Sequence, residues 1–246
     1  MSGVNGSSRT GVVVLAMVLG LVPIVRDAGA ADPVDAVMQS WDVERAIELV
    51  IELRGDVDAH DGGCALTLAR ADLAVASMLR VELEAKPRED RDERRVLGLR
   101  IYVHAEEGLD ALAQCRDTSE RWRIEADLLA TMIRSDYRAK KFEKRLKDAI
   151  DRALALDESN ALAWVASAKP FLFADERHGG DLEEAVRRLG HALELQPGLE
   201  SALVLRAYAH EQLGRPEAAR ADLEEVLRLN PECRPARLAR SAESTS

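Results

Sequence analysis

After residue 30, apolar residues recur every three or four positions along most of the chain, which predicts amphipathic helices. One such stretch, VERAIELVIEL, follows Asp42 and predicts a helix that Asp42 caps and Gly55 ends. Two longer stretches, 64–85 and 89–115, predict two long helices separated by a turn at Pro87. Runs of β-branched residues are nearly absent from this region, so the pattern predicts an all-α protein.

The C-terminal half contains an internal repeat. The segments 180–197 and 214–231 align at a spacing of 34 residues. Helical periodicity alone would not also bring glycines and closing prolines into register, so the match indicates a repeated structural unit. The matched positions are Gly180 with Gly214, Ala185 with Ala219, Leu189 with Leu223, and Pro197 with Pro231.

This unit resembles the tetratricopeptide repeat (TPR), a helix–turn–helix of 34 residues. The resemblance implies an α-solenoid of about five antiparallel helix pairs, followed by a short capping helix at RPARLARSA. The segment 118–231 carries the repeats, and its best matches are 160–197 and 198–231. Residues 31–117 are interpreted as degenerate helical hairpins, and 232–246 as the capping helix with a frayed tail.

The resemblance also implies a function. In the family at large, the concave face of the array binds peptides or partner proteins, so we expect a protein or peptide partner. Positions that face inward in the repeat pattern correspond here to Val165 and Lys169 in one copy and to Val204 and Tyr208 in the next; Gln212 is a further candidate contact. The long, degenerate N-terminal hairpins, an N-terminal segment typical of export and the late motif GGDLEEA resemble the periplasmic TPR component associated with TRAP transporters. This narrower resemblance implies the alternative function: a partner of a solute-binding protein.

The first 30 residues are typical of a secretory signal peptide. A polar start is followed by the apolar run GVVVLAMVLGLVPIV and by a small-residue site ending in Ala30, which predicts cleavage between Ala30 and Ala31. The alternative is an uncleaved membrane anchor. The run has 15 residues and contains Pro23, whereas a membrane-spanning helix needs roughly 20 residues. We therefore expect a periplasmic or secreted protein.

Charge and motifs exclude several functional classes. The chain has a formal net charge of −10, which disfavours binding to nucleic acid or to an anionic membrane. The sequence has no GxSxG, Walker, GxGxxG or HExxH motif, so we expect no catalytic activity and no cofactor. The acidic stretch RGDVDAHDGGC does not fit a calcium loop starting at Asp56, because Asp61 and Thr67 occupy the positions of the required Gly and Glu.

The three cysteines carry one structural prediction. Cys64 opens one predicted long helix and Cys115 closes the next, so an antiparallel hairpin would place both at the end away from its turn. Export would favour oxidation, and we predict a Cys64–Cys115 disulfide. Cys233 has no obvious partner.

The segment KPFLFADERHGGDLEEA, 169–185, interrupts the repeat spacing. Upstream copies are offset by 39 residues instead of 34, which places an insertion at ADERH, in the turn between two helices of one pair. Gly179 and Gly180 supply the backbone freedom for the turn, and Asp181 caps the next helix. Pro170 is expected to kink or end the preceding helix. The turn would present His178 and its charged neighbours to a partner.

Overall fold

The fold is entirely helical in the part of the chain that the structure, a computed structural model, describes: residues 32–55, 62–113 and 115–243. Within these ranges there are eleven α-helices and no β-strand, and no helix is both long and apolar enough to cross a bilayer. The predicted signal peptide and the cleavage site between Ala30 and Ala31 lie outside the described residues. The helices are α1 (Pro33–Ser40), α2 (Val43–Gly55), α3 (Gly62–Ala85), α4 (Arg91–Leu112), α5 (Ser119–Met132), α6 (Asp136–Leu156), α7 (Ala161–Phe173), α8 (Leu182–Leu195), α9 (Glu200–Gln212), α10 (Pro216–Leu229) and α11 (Arg234–Glu243).

Short polar side chains determine where many of these helices begin. Asp42 accepts a hydrogen bond from the Arg45 amide at 3.0 Å, as the sequence predicts for the start of α2. Asn160 accepts from the amides of Leu162 and Ala163 at the start of α7. These contacts satisfy backbone amides that have no partner within the helix.

The helices stack as pairs along the chain. Each of α3–α4, α5–α6, α7–α8 and α9–α10 is a contacting pair joined by a turn, α1–α2 is a shorter pair at the N-terminus, and α11 packs on α10. Contacts between pairs link elements that are close in sequence order. This arrangement confirms the predicted α-solenoid of five pairs with a capping helix.

Alanines lie where helices approach one another most closely in the C-terminal pairs. Ala168 and Ala185 are fully buried, and Ala207 and Ala219 are nearly so. Leu189 is fully buried in the same core cluster. Small and large side chains therefore interdigitate as the repeat pattern predicts.

The N-terminal pairs depart from this regular pattern. Every residue from Ala71 to Val81 in α3 is buried, including Asp72 and Arg80. Trp41, between α1 and α2, has a left-handed backbone with φ of 52° and packs against both the N-terminal and the C-terminal core cluster. This half of the fold is therefore held together by contacts that no repeat pattern encodes.

The inserted segment forms a compact turn between α7 and α8. The carbonyl of Asp175 accepts hydrogen bonds from the amides of His178 and Gly180, both at 2.9 Å. Gly179 has φ of +89°, and the carbonyl of Ala174 lies where a side chain at Gly180 would stand. The Glu184 amide donates to Asp181 at 3.0 Å, so the predicted cap of the next helix is confirmed.

The prediction that Pro170 could end its helix is wrong. Helix α7 continues through Pro170 to Phe173, and the Ala174 amide still donates to the Pro170 carbonyl at 3.1 Å. A proline ring removes only its own amide donor and crowds the preceding turn. Because Pro170 lies in the last turn, few helical hydrogen bonds are affected.

Candidate functional site

The residues predicted to line a partner groove are mostly inside the molecule. Val165 and Val204 are 4% and 0% exposed and belong to the C-terminal core cluster. Lys169 is 6% exposed. The groove prediction is therefore corrected for these three residues, because a partner cannot reach a side chain that packs in the core. Tyr208 is half-buried and stacks against Phe173 with ring centroids 6.1 Å apart, whereas Gln212 is exposed; partner contact by these two stays a prediction.

Lys169 instead belongs to a buried ionic network. Its Nζ lies 2.6 Å from Asp127 Oδ1 on α5, and Arg123 Nη1 lies 3.1 Å from Asp127 Oδ2. Arg123 is 1% exposed and also pairs with Glu120. Two buried cations thus share one buried carboxylate, which ties α7 to α5.

An arginine-lined cleft opens at the edge of the stack where the turns α3–α4 and α5–α6 lie side by side. Arg80, buried on α3, donates to the carbonyls of Thr131 and Ile133 at 3.3 and 3.2 Å and so joins α3 to the end of α5. The cleft has a volume of about 730 Å³. We call it the arginine cleft; its lining is Arg88, Arg91, Arg94, Arg95, Gly98, Leu99, Tyr102, Arg134 and Arg138.

Three of these arginines are held in place by their surroundings. Arg94 Nη1 donates to the carbonyls of Leu83 and Lys86 at 2.5 and 2.7 Å. The Arg134 guanidinium lies against Gly98, in the space that a Cβ would fill. The Arg138 guanidinium lies 4.7 Å from the centre of the Tyr102 ring, a cation–π contact.

Few of these arginines are paired with a carboxylate. Within the described residues, Glu84 on α3 lies 3.8 Å from Arg94; it also lies 2.9 Å from Arg80, which is outside the lining of the cleft. Burial lowers the pKa of Arg134; Glu84 opposes this shift, while the positive charges of Arg138 and Arg94 add to it. The electrostatics therefore favour an added anion at this place.

The pair α9–α10 matches a known repeat family. Gly214 turns the chain with φ of +70°, Pro216 opens α10, and Ala207 and Ala219 are 2% and 1% exposed. The family profile described as "Tetratricopeptide repeat" matches residues 201–233, which span this pair. This pair is a TPR repeat.

The chain is also similar to a solved structure. Among solved structures it is similar to YrrB, described as a TPR protein with an unusual peptide-binding site. The two chains are 15% identical, with 86% of this chain and 97% of that chain covered and a TM-score of 0.39. No curated protein matches the chain.

The N-terminal pairs hold a second polar cluster, built from residue types that can bind metals. The ligand-type atoms of Asp72, His104 and Glu107 lie within 4.8 Å of one another. His104 Nδ1 lies 2.7 Å from Asp72 Oδ1, and Arg54 donates to Asp72 at 2.9 Å and pairs with Glu107. Because the Arg54 guanidinium supplies the positive charge for both carboxylates, the cluster works as an ion network that joins α2, α3 and α4.

The cysteines differ in accessibility. Burial raises the pKa of Cys233 to about 12, and the thiol is 0% exposed. Burial also raises the pKa of Cys115, which is half-buried and donates to the Ala111 carbonyl at 3.5 Å. The Cys115 thiol is free in this structure. The side chain of Cys64 lies outside the described residues, so the Cys64–Cys115 disulfide stays a prediction.

At a pH near 8.5, which is about the ordinary pKa of a cysteine thiol, thiol titration of the native protein should leave Cys233 unreacted. Only the thiolate form of a cysteine reacts with the reagent, and burial in the folded chain disfavours that form. Unfolding in urea should restore the ordinary reactivity of Cys233.

The same titration tests the Cys64–Cys115 disulfide. An oxidised, unfolded chain that has the disulfide exposes only the Cys233 thiol, and a chain that lacks it exposes all three thiols. Rapid native labelling of Cys233, identified by peptide mass, would contradict its burial.

Sequence reasoning missed the arginine cleft, although a signal for it is present. The segment REDRDERR, 88–95, mixes both charges and is typical of a solvated helix start. Its acids do not line the cleft, and the other contributors, Arg134 and Arg138, lie some 40 residues later in the chain. Only the stacking of two helix pairs brings these arginines together.

Proposed function

We propose that this TPR protein is an exported scaffold that binds another protein or a peptide and has no catalytic role. The observation that carries the proposal is an open, positively charged cleft on a TPR-type array whose net charge is −10. A rigid stack of helices holds such a surface in a fixed geometry, which lowers the entropy lost on binding. Binding proteins of this kind need no group that reacts with the ligand.

Several histidines in the described residues are paired with carboxylates. His104 and His178 each contact a carboxylate, Asp72 and Asp175. Within the described ranges, no serine or cysteine is hydrogen-bonded to either histidine. The geometry of an activated nucleophile therefore has no counterpart in these pairs.

Export is the second part of the proposal and rests on the sequence of residues 1–30. A more specific alternative is that the chain is a periplasmic partner of the solute-binding protein in a TRAP-type system. An exported location would bring both proteins into one compartment. The support for this alternative is the sequence resemblance to that TPR component, carried by the degenerate N-terminal hairpins, the predicted export signal and the motif GGDLEEA.

The test is affinity isolation of the full-length chain from its native cells, followed by reconstitution of the complex from purified components. We expect a stoichiometric complex by calorimetry, and N-terminal sequencing of the isolated chain should start at Ala31. If the isolated partner is a solute-binding protein, the result favours the TRAP-type alternative. If it is any other protein, the result favours the general scaffold. A monomer that binds no protein on reconstitution would overturn the proposal.

A further inference from the structure

The arginine cleft concentrates positive charge on a molecule that is acidic overall. Six arginines line it, in a chain with 44 acidic and 34 basic residues. Many arginines elsewhere are paired with carboxylates; for example, Arg187 lies 2.5 Å from Glu184, and Arg206 lies 2.6 Å from Asp222. In the part of the chain that the structure describes, Arg134 and Arg138 form no such pair. Unmatched like charges held together repel one another, and an anion between them relieves this repulsion.

The cleft is also preorganised. Arg94 is fixed by two main-chain carbonyls, and Arg138 is fixed on the Tyr102 ring. Tyr102 in turn donates to Glu106 at 2.6 Å. Arginines held in this way lose less rotamer freedom when they bind a carboxylate, and their planar guanidinium groups can bind it through two hydrogen bonds.

Apolar surface lies next to the charge. Leu99, in the lining of the cleft, is 58% exposed, and its neighbours on α4, Val96 and Val103, are 56% and 49% exposed. Tyr102 adds an aromatic ring. An inorganic anion would leave this surface in water, whereas a ligand with both carboxylates and aliphatic side chains would cover it.

We propose that the arginine cleft binds an acidic segment of a partner protein: an extended peptide whose Asp or Glu carboxylates pair with the arginines and whose aliphatic side chains contact Leu99 and Tyr102. This proposal rests on the proposed scaffold function and specifies its ligand. It differs from the groove predicted from the repeat pattern, because it uses the edge of the stack instead of the inward-facing positions of α7 and α9.

The net charge of the chain selects a short acidic segment over a long polyanion. At physiological ionic strength, charges more than about 8 Å apart are largely screened. A short peptide in the cleft therefore experiences mainly the local arginines. A nucleic acid or an anionic membrane would extend over the acidic remainder of the surface and be repelled.

The test measures binding of a fluorescein-labelled peptide of alternating Glu and Leu to the full-length chain by fluorescence anisotropy. Two double variants are compared, Arg134→Gln with Arg138→Gln in the cleft and Arg220→Gln with Arg240→Gln on exposed positions of α10 and α11. The variants are matched in charge. Because each cleft arginine can form charge-assisted hydrogen bonds to a carboxylate, we expect the cleft variant to weaken binding at least about tenfold and the matched variant to leave it unchanged. High salt should also weaken binding.

Three controls complete the test. Far-ultraviolet circular dichroism checks that the cleft variant is folded, and Leu99→Ser, at an exposed position, supplies a second variant for the apolar contact. A peptide with Gln in place of Glu should bind at least about tenfold more weakly, because it lacks the charge. Inorganic phosphate and a single-stranded oligonucleotide report on other anions.

The proposal is overturned if both double variants bind the acidic peptide equally, if the Gln peptide binds as tightly, or if the oligonucleotide or phosphate binds more tightly than the peptide. The scaffold function has a separate outcome. If the cleft variant still forms the reconstituted complex with the same affinity, the scaffold function stands and the acidic-segment proposal fails. If the wild-type chain binds the peptide through the arginines but forms no complex with any protein, the scaffold function fails.

Discussion

Replacing Asp127 with alanine should destabilise the fold by about 3–5 kcal/mol, because it leaves buried cations without their shared counter-charge. Lys169 and Asp127 are both nearly buried and lie 2.6 Å apart, and Arg123 is 1% exposed. Arg123 keeps Glu120 as a partner, whereas Lys169 keeps no carboxylate within the described residues. The measurement is the free energy of unfolding from urea denaturation followed by circular dichroism.

The control for this prediction is Asp148→Ala, which removes an exposed carboxylate paired with Lys144 on α6. Exposed pairs contribute about 0–1 kcal/mol, so this variant should unfold close to the wild type. Adding Lys169→Met to Asp127→Ala removes the uncompensated ammonium group, and the double variant should be more stable than Asp127→Ala alone. A double variant that is less stable would contradict the electrostatic explanation and favour lost packing.

Leu189→Ala is the second large effect. Leu189 is fully buried between α8 and its neighbours, at the repeat position that follows Ala185 by four residues. Truncating a buried leucine removes its transfer free energy and leaves a cavity, which together cost about 2–5 kcal/mol. Urea denaturation measures the change in the free energy of unfolding, and the slope of the transition shows whether the array still unfolds in one step.

The same helix offers the matched control. Leu195 is 38% exposed, near the end of α8, so Leu195→Ala removes the same atoms from a place that is already partly in water. We expect a change of about 0.5 kcal/mol or less. Equal losses from the two variants would mean that burial in the repeat interface is not what Leu189 contributes.

The sequence predicted the C-terminal pairs because their local signals agree with one another. The repeat has a fixed spacing of glycine, proline and alanine positions, which here are occupied by Gly214, Pro216 and the buried alanines. The family match to 201–233 falls on the pair in which this spacing is clearest. The turn at 174–181 could be predicted for the same reason, since an interrupted spacing locates an insertion and Asp181 marks the next helix start.

The inward-facing residues could not be predicted in the same way. A repeat pattern predicts which face of a helix a residue occupies, but it does not predict whether that face is exposed to solvent. Val204 is fully buried and Lys169 finds Asp127 some 42 residues earlier in the chain. The arginine cleft is the converse case, because its charge is visible only when 88–99 and 134–138 meet in space.

Trp41 affects how a helical array of this kind should fold and unfold. Residue 41 packs against a cluster whose members run from Ala161 to Ala239, so the closing contact spans much of the chain. In an array whose repeats contact only adjacent repeats, each helix pair can pack as soon as the preceding pair has folded. Trp41 emerges early during synthesis and stays partly uncovered until the segment after Ala161 has been made. Long-range closure of this kind slows folding and couples fraying at one end to fraying at the other.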